Sequence, residues 1–524
     1  MSTLFSAQLH PAEALGFLVL GASLHDILTR LKAEPQRFPK LDLTYHPTDP
    51  VREPVVLGLP ANGIRLRFDG AEQRLRLIEV VDFTKNHIFP KPANDKERDL
   101  VRPPSTAQDG TAPQSEPTTG PTFRHIYQRF LGPTYDGEFI PNEESRGDQG
   151  LYVLSYPGVA FTFPMREAQY KQSKDVVSLL SSTAVPTAMA VFSGDSWAHS
   201  RDKMWTEVLP GMKTLLPSKG RDYPDEVSLV KIYGGGKAQF FRRWTNKSFW
   251  VTLGDTTPQQ LVVELGPPDA IYRKNDQRMY IHKLRAASNT MTRPNSNDLR
   301  RLDDLTDTDQ SSAHTGSDGY VSNDEAIVDD LVANVSGECF YNYFHLGFDI
   351  LVSTPAAPSQ IPPSQKSNAG MPEVQFKSTS PDRLVATKII LHANVPGSYP
   401  FNRHRRCRWE ISYLSNPDPG VVINSETPFS EIESSLREEW KSIYVSEEDA
   451  KQKQRGMVLN RGWGDSPGSS CELLGGWEES GSATTPGVGK KFDGSEDSTT
   501  TLYGFPGLVF EVLKNGYVSA VTVF

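Results

Sequence analysis

The chain has 524 residues, with 64 Asp or Glu against 55 Lys or Arg and a formal net charge of −9, a balance that argues against a protein whose task is to coat nucleic acid. Three cysteines, Cys339, Cys407 and Cys471, are too few and too scattered for a disulfide framework and fit a reducing, cytoplasmic setting. The 40 Gly and 40 Pro exclude a fold made of helices alone. The earliest apolar run, Ala14 to Leu20, is far short of the ~20 residues a membrane span needs. It also lacks a preceding positive region, so it reads as a buried strand leading into a helix rather than as a signal peptide.

The elements that follow fall into a repeated order. Ser23 can cap a helix carrying Leu24, Ile27, Leu28 and Leu31 on one face, ended by Pro35. Asn62 to Asp69 alternates apolar and polar residues as a half-buried strand does, and after a turn at Asp69-Gly70 its hairpin partner is Leu75 to Val80. A second helix opens at Pro121-Thr122, carries Phe123, Ile126, Tyr127 and Phe130, and precedes the strands Leu151–Leu154 and Tyr156–Phe163. A third opens at Thr257-Pro258-Gln259-Gln260, a cap with Pro at the first helical position and Gln two places on. Its meander comprises Tyr341–Phe344, Leu346–Val352 and Val385–Leu391. A fourth helix, opened by Thr427-Pro428 with Ile432 and Leu436, leads to Phe505–Val512 and Tyr517–Val523. In each unit a glycine precedes an apolar strand: Gly63, Gly158, Gly347 and Gly507.

An amphipathic helix and a small antiparallel sheet each bury one face, so pairing them satisfies both. The expected class is therefore α+β, built from repeated helix-plus-β-meander units in two lobes. The N-terminal lobe covers 14–250 with units 1 and 2, and the C-terminal lobe covers 251–524 with units 3 and 4. Four biased segments, about 93–120, 285–326, 355–380 and 462–500, are expected to be disordered insertions, because long structureless loops are uncommon inside compact domains.

No strong catalytic motif is present: neither a nucleophile elbow, a P-loop, a zincin helix nor a dinucleotide-binding glycine fingerprint. Gly234-Gly235-Gly236-Lys237 has the wrong spacing for a phosphate loop and reads as a hairpin turn. The acidic run Asp303 to Asp309 lacks the Gly and terminal Glu of a calcium loop. The most polar ordered stretch, His392 to Trp409, contains His392, His404 and Cys407, but four neighbouring arginines oppose a zinc site, and no metal or other cofactor is expected. Those arginines, Arg403, Arg405, Arg406 and Arg408, form a candidate face for a phosphoinositide head group or an acidic partner. Alternation along a strand would place Arg403 with Arg405 and Arg406 with Arg408.

Several of these runs together resemble the phagosome assembly factor family. They are Gly63–Asp69 with Gln73–Val80, Tyr341–Leu351, Leu391–Tyr399, Arg406-Cys407, and Val509–Val512 with Ala520–Thr522. The resemblance implies a cytosolic autophagy factor without catalytic activity, associated with a WD-repeat β-propeller partner and recruited to the phagophore assembly site by phosphoinositide binding attributed mainly to that propeller. A scaffold or adaptor is thus the leading expectation. A peripheral protein that binds phosphoinositide directly through the arginines is the alternative, and an enzyme using Cys407 with His392 or His404 is a third.

Overall fold

A computed structural model of the chain describes residues 5–90, 99–100, 120–134, 137–141, 149–171, 175–206, 209, 225–245, 247–273, 338–354, 383–414, 422–460 and 499–524. It divides into two compact units: unit 1 is Met1–Tyr223 with Asn394–Arg406, and unit 2 is Pro224–Ala393 with Cys407–Phe524. Helices and antiparallel sheets mix in both, as the α+β expectation requires.

In unit 1, β1 (Phe5–His10), β2 (Ala14–Leu15) and β3 (Leu18–Val19) form a meander, and β8 (Asn86–Phe89) pairs with β1 in parallel. A second sheet joins two four-stranded meanders. The first is β4 (Asp42–Thr44), β5 (Val55–Leu59), β6 (Ile64–Phe68) and β7 (Leu75–Val80). The second is β9 (Glu138–Pro141), β10 (Gln149–Tyr156), β11 (Val159–Arg166) and β12 (Ala188–Phe192), and the sheet's order is β4-β5-β6-β7-β12-β11-β10-β9.

Unit 2 opens with the meander β13 (Val227–Ile232), β14 (Lys237–Arg242) and β15 (Ser248–Thr252), joined in parallel by β20 (Trp409–Ile411). Its larger sheet holds β16 (Ala270–Arg273), β17 (Cys339–Tyr343), β18 (Phe348–Ser353) and β19 (Val385–His392), then β24 (Val518–Val523), β23 (Leu508–Leu513), β22 (Thr499–Phe505) and β21 (Met457–Asn460). The strand order of unit 2 is that of unit 1 with every number raised by twelve.

Each helix precedes a meander for local reasons. The Leu24–Ala33 helix starts where the Ser23 side chain accepts from the Asp26 amide, and it buries Leu24, Ile27, Leu28 and Leu31 at helical spacing. The Pro258–Leu265 helix has a full capping box, with Thr257 and Gln260 satisfying each other's backbone donors. The Phe123–His125 turn continues as a wider turn over Ile126–Phe130. The Phe429–Glu439 helix departs from expectation: Pro428 occupies the cap position, while the Thr427 hydroxyl accepts from the Asn424 amide at 3.1 Å.

Two other expectations change. The apolar run Ala14 to Leu20 is a tight hairpin, β2 to β3, because Gly16 at φ +61° reverses the chain in its middle. Strands β13–β15, assigned from sequence mostly to a lobe ending at 250, pack in unit 2 because β13 pairs with β20. The segments 285–326 and 355–380 lie outside the described residues, as does nearly all of 93–120 and 462–500. Within the last two, Leu100 donates its amide to the Ile88 carbonyl at 2.8 Å, and Thr499-Thr500 begin β22.

The third strand of every four-stranded meander follows a glycine of positive φ: Gly63 (64°), Gly158 (74°), Gly347 (92°) and Gly507 (76°). At Gly63 a Cβ would stand 2.5 Å from the Asp82 carbonyl oxygen, whereas at Gly516 (φ +82°) it would meet nothing within 4 Å. Gly63→Ala is therefore expected to cost about 2–4 kcal/mol and Gly516→Ala about 1 kcal/mol, measured as loss of hydrogen-exchange protection in β6 and β24 respectively.

Candidate functional site

A buried polar cluster of unit 1 lies at the turn between β6 and β7. Asp69 organises it: one carboxylate oxygen accepts from the Glu72 amide at 2.6 Å, and the other from the Arg76 Nε at 2.7 Å and the Arg74 amide at 3.3 Å. Asp69 and Arg76 are both buried, so the pair is compensated in a low-dielectric setting. The turn holds Gln73 at φ +53°.

The Asn394–Arg406 segment, remote in sequence, completes the cluster. Gln73 Nε2 donates to the Asn394 carbonyl at 2.8 Å, and Asn394 Nδ2 donates to Gln73 Oε1 at 2.8 Å, a reciprocal amide pair between residues 321 apart in sequence. Asn394 is itself left-handed, at φ +48°, and its Oδ1 accepts from the Asn402 amide at 2.6 Å. Asparagine tolerates that conformation better than other side-chain-bearing residues do. Gly397, at φ +83°, lies against the Tyr45 ring, where a side chain would collide.

The four arginines do not form one face. The described backbone from Arg403 to Arg408 is irregular, and strand pairing begins only at Trp409, so the expected alternation does not arise. Arg405 is buried and ion-paired with Asp26 at the first turn of the Leu24–Ala33 helix. Arg406 is buried with its Nε donating to the Ala71 carbonyl at 2.6 Å. Arg408 belongs to unit 2, where it grips Glu426 in a forked pair at 3.0 and 3.2 Å. Arg403 is exposed. Burial alone would raise the Asp26 pKa, but the Arg405 guanidinium, with hydrogen bonds from His25 and Ser23, outweighs it and holds the carboxyl well below the usual range.

His392 and Cys407 belong to unit 2 and His404 to unit 1. His392 Nε2 lies 2.8 Å from Asp349 Oδ2, and the buried Cys407 donates its amide to the His392 carbonyl at 2.8 Å. Gly234–Gly236 forms the β13–β14 hairpin turn, at φ +77°, +56° and +70°.

The family comparison settles what these residues belong to: a family model for phagosome assembly factor 1 matches residues 14–89, 110–298 and 378–524. The chain belongs to the phagosome assembly factor 1 family. A family protein of Arabidopsis thaliana is 22% identical over 524 residues, covering 98% of this chain and 92% of its own. One of Drosophila melanogaster is 20% identical over 97% of this chain and 90% of its own, and one of Caenorhabditis elegans 27% over 79% and 78%. No solved structure matches. Within the family match lie both sides of the polar cluster, Asp69–Arg76 and Asn394–Arg406.

One further constellation in this family member carries no local sequence signal. Ser6 Oγ lies 2.9 Å from His87 Nδ1, and His87 Nε2 lies 3.0 Å from Asp99 Oδ2. Hydroxyl, imidazole and carboxylate thus stand in the order that lets a histidine accept a hydroxyl proton. Ser6 and His87 are register partners across the parallel β1–β8 pair, and Ser6 sits mid-strand rather than on a projecting turn. We read the line as a cross-strand polar ladder.

Asp69→Ala would leave the Arg76 guanidinium buried without its partner, so a loss of about 3 kcal/mol is expected, seen as early unfolding of β6–β7 by hydrogen exchange. Asp26→Asn should cost about 1 kcal/mol near neutral pH, Asp26 being partly exposed. Because its folded pKa is depressed, this contribution is complete above the unfolded value of about 4 and is lost as pH falls below it. The difference in stability between wild type and Asp26→Asn should therefore be flat from pH ~7 to ~5 and shrink in more acid solution.

Proposed function

We propose that this protein is a non-enzymatic scaffold in phagosome and autophagosome assembly that acts beside a WD-repeat β-propeller partner and reaches phosphoinositide membranes through it. The observation that carries this reading is the family match, which spans both units. The setting is the cytoplasmic face of membranes at the phagophore assembly site; no described helix is long and apolar enough to cross a membrane. Two features of the molecule favour a partner-borne over a direct membrane contact. Arg405 and Arg406 spend their charge inside unit 1, and Arg408 spends its charge on Glu426. Unit 2 meanwhile ends its larger sheet in two edge strands with exposed apolar residues: Ile271 and Tyr272 on β16, at 56% and 64%, and Met457 and Val458 on β21, at 57% and 66%. Edge strands offer unpaired backbone groups to a partner, and apolar side chains there give it something to bury.

The test is purification of the tagged full-length chain from its own cells, paired with flotation of the purified chain on phosphoinositide vesicles. Stoichiometric recovery of a β-propeller protein is expected, with loss of that partner in Ile271→Lys or Val458→Lys and unchanged circular dichroism. A chain that returns alone from cells, and floats unaided in a manner abolished by Arg403→Glu, would overturn the reading.

A further inference from the structure

Unit 1 covers the back of its larger sheet with a helix, and unit 2 leaves the corresponding surface in water. In unit 1, Leu77, Val153, Ala160 and Phe192 form a buried cluster with Met204, and Trp197 and Trp205 pack against it. The cover is the Trp197–Lys203 helix and the turn after it, which follow β12. Its inward stripe is Trp197, Ser200 and Met204, at the i, i+3, i+7 spacing of an amphipathic helix. The start of the helix is tied to the sheet. The Trp197 amide donates to Ser155 Oγ at 2.8 Å, and the Trp197 ring lies 5.3 Å from that of Phe192, with the planes 68° apart.

Strand register identifies the same positions in unit 2. Phe192 donates its amide to the Gly158 carbonyl at 3.1 Å, and Phe524 donates its amide to the Gly507 carbonyl at 3.0 Å. Ala160 stands opposite Ala190 and Ser155; Val509 stands opposite Thr522 and Gly504. Phe524, Val509 and Gly504 therefore take the places of Phe192, Ala160 and Ser155, and Leu502 takes that of Val153. Phe510, Val521 and Val523 belong to the hydrophobic core, so alternation sends Val509, Thr522 and Phe524 to the opposite side of the sheet.

The two surfaces differ in cover. Phe192 and Ala160 are 0% and 1% exposed, whereas Phe524 is 50% exposed and Val509 and Leu502 are partly exposed. A Cβ built on Gly504 would meet nothing within 4 Å, so the space that the helix start fills in unit 1 is open here. Contiguous apolar surface left in water is a feature of interaction sites.

The nature of the occupant follows from unit 1, where the same strand path receives a helix with one aromatic and apolar stripe. Helices of that kind bind apolar surfaces through anchors at i, i+3, i+4 and i+7. Charge adds a further requirement. By register, exposed Lys388 stands where unit 1 has Leu77, so the border of the surface favours a carboxylate on the helix that covers it.

We propose that the β22-β23-β24 surface bearing Leu502, Val509 and Phe524 is a docking site for an amphipathic α-helix of a partner protein, seated as the Trp197–Lys203 helix is seated on unit 1. The partner helix carries an aromatic side chain to meet Phe524, an apolar one two turns on, and an acidic residue toward Lys388. The site lies on the face of the sheet rather than on its β16 and β21 edges, and it does not rest on the scaffold reading.

A dye-labelled peptide of residues 195–206, held helical by a hydrocarbon staple between positions 198 and 202, supplies the required stripe. Ala198 and Asp202 are exposed in unit 1, so the staple leaves the stripe free. Fluorescence anisotropy of this peptide, titrated with the full-length chain, is expected to show saturable binding. The same peptide with Trp197→Lys and Met204→Lys should show none. In the chain, Gly504→Lys and Phe524→Asp should each weaken binding about tenfold or more. Both variants should keep the wild-type melting curve, because the first side chain enters open space and the second replaces an exposed one. Absence of saturable binding by the wild-type chain would overturn the proposal. So would binding that neither variant diminishes, which would place the peptide on unit 1 in competition with the helix already there.

Discussion

A buried amide pair sets the terms for unit 1. Gln73 and Asn394 exchange hydrogen bonds in both directions, and both residues adopt left-handed backbone conformations to do so. Burying such groups without partners would cost several kcal/mol. Once Asn394–Arg406 is packed in unit 1, every neighbouring polar group must therefore find a place as well. Asp69 gathers the turn amides and Arg76, the Ala71 carbonyl takes Arg406, and Asp26 takes Arg405. The helix beginning at Leu24, the β6–β7 turn and the remote segment are in this way parts of one polar network inside an apolar unit.

That network changes the meaning of the arginine-rich stretch. Read as a string, four arginines within six residues suggest a surface that attracts anions. In the fold two of them are structural cations whose counter-groups are a helix-terminal carboxylate and a backbone carbonyl, and a third is forked onto Glu426. A cation so engaged is poorly placed to bind a lipid head group, because leaving its partner would strip a carboxylate or carbonyl of its hydrogen bond. Apolar groups remain in water at the β16 and β21 edges.

The two units share one strand path: a three-stranded meander, a helix, a four-stranded meander, a parallel return strand and a second four-stranded meander. The return strands β8 and β20 explain why each path closes on itself. A parallel partner cannot follow by a tight hairpin, so the intervening helix and meander act as the crossover. The paired residues differ: where unit 1 places Ser6 opposite His87, unit 2 places Lys231 opposite Glu410.

The sequence by itself determined what depends on a few neighbouring residues. Thr257 and Gln260 announce a capping box, Ser23 announces a cap, Ile64 to Phe68 alternate, and Gly63, Gly158, Gly347 and Gly507 mark reversals, because each signal acts over less than two turns of helix or one hairpin. The family resemblance, too, could be read from such runs. Other features rest on partners far along the chain. The assignment of β13–β15 depends on β20. The roles of Arg405 and Arg406 rest on Asp26 and Ala71, and the Ser6–His87–Asp99 line on a parallel register. Only the tertiary structure decided these, because which buried donor meets which acceptor across hundreds of residues is settled by the packing that removes both from water.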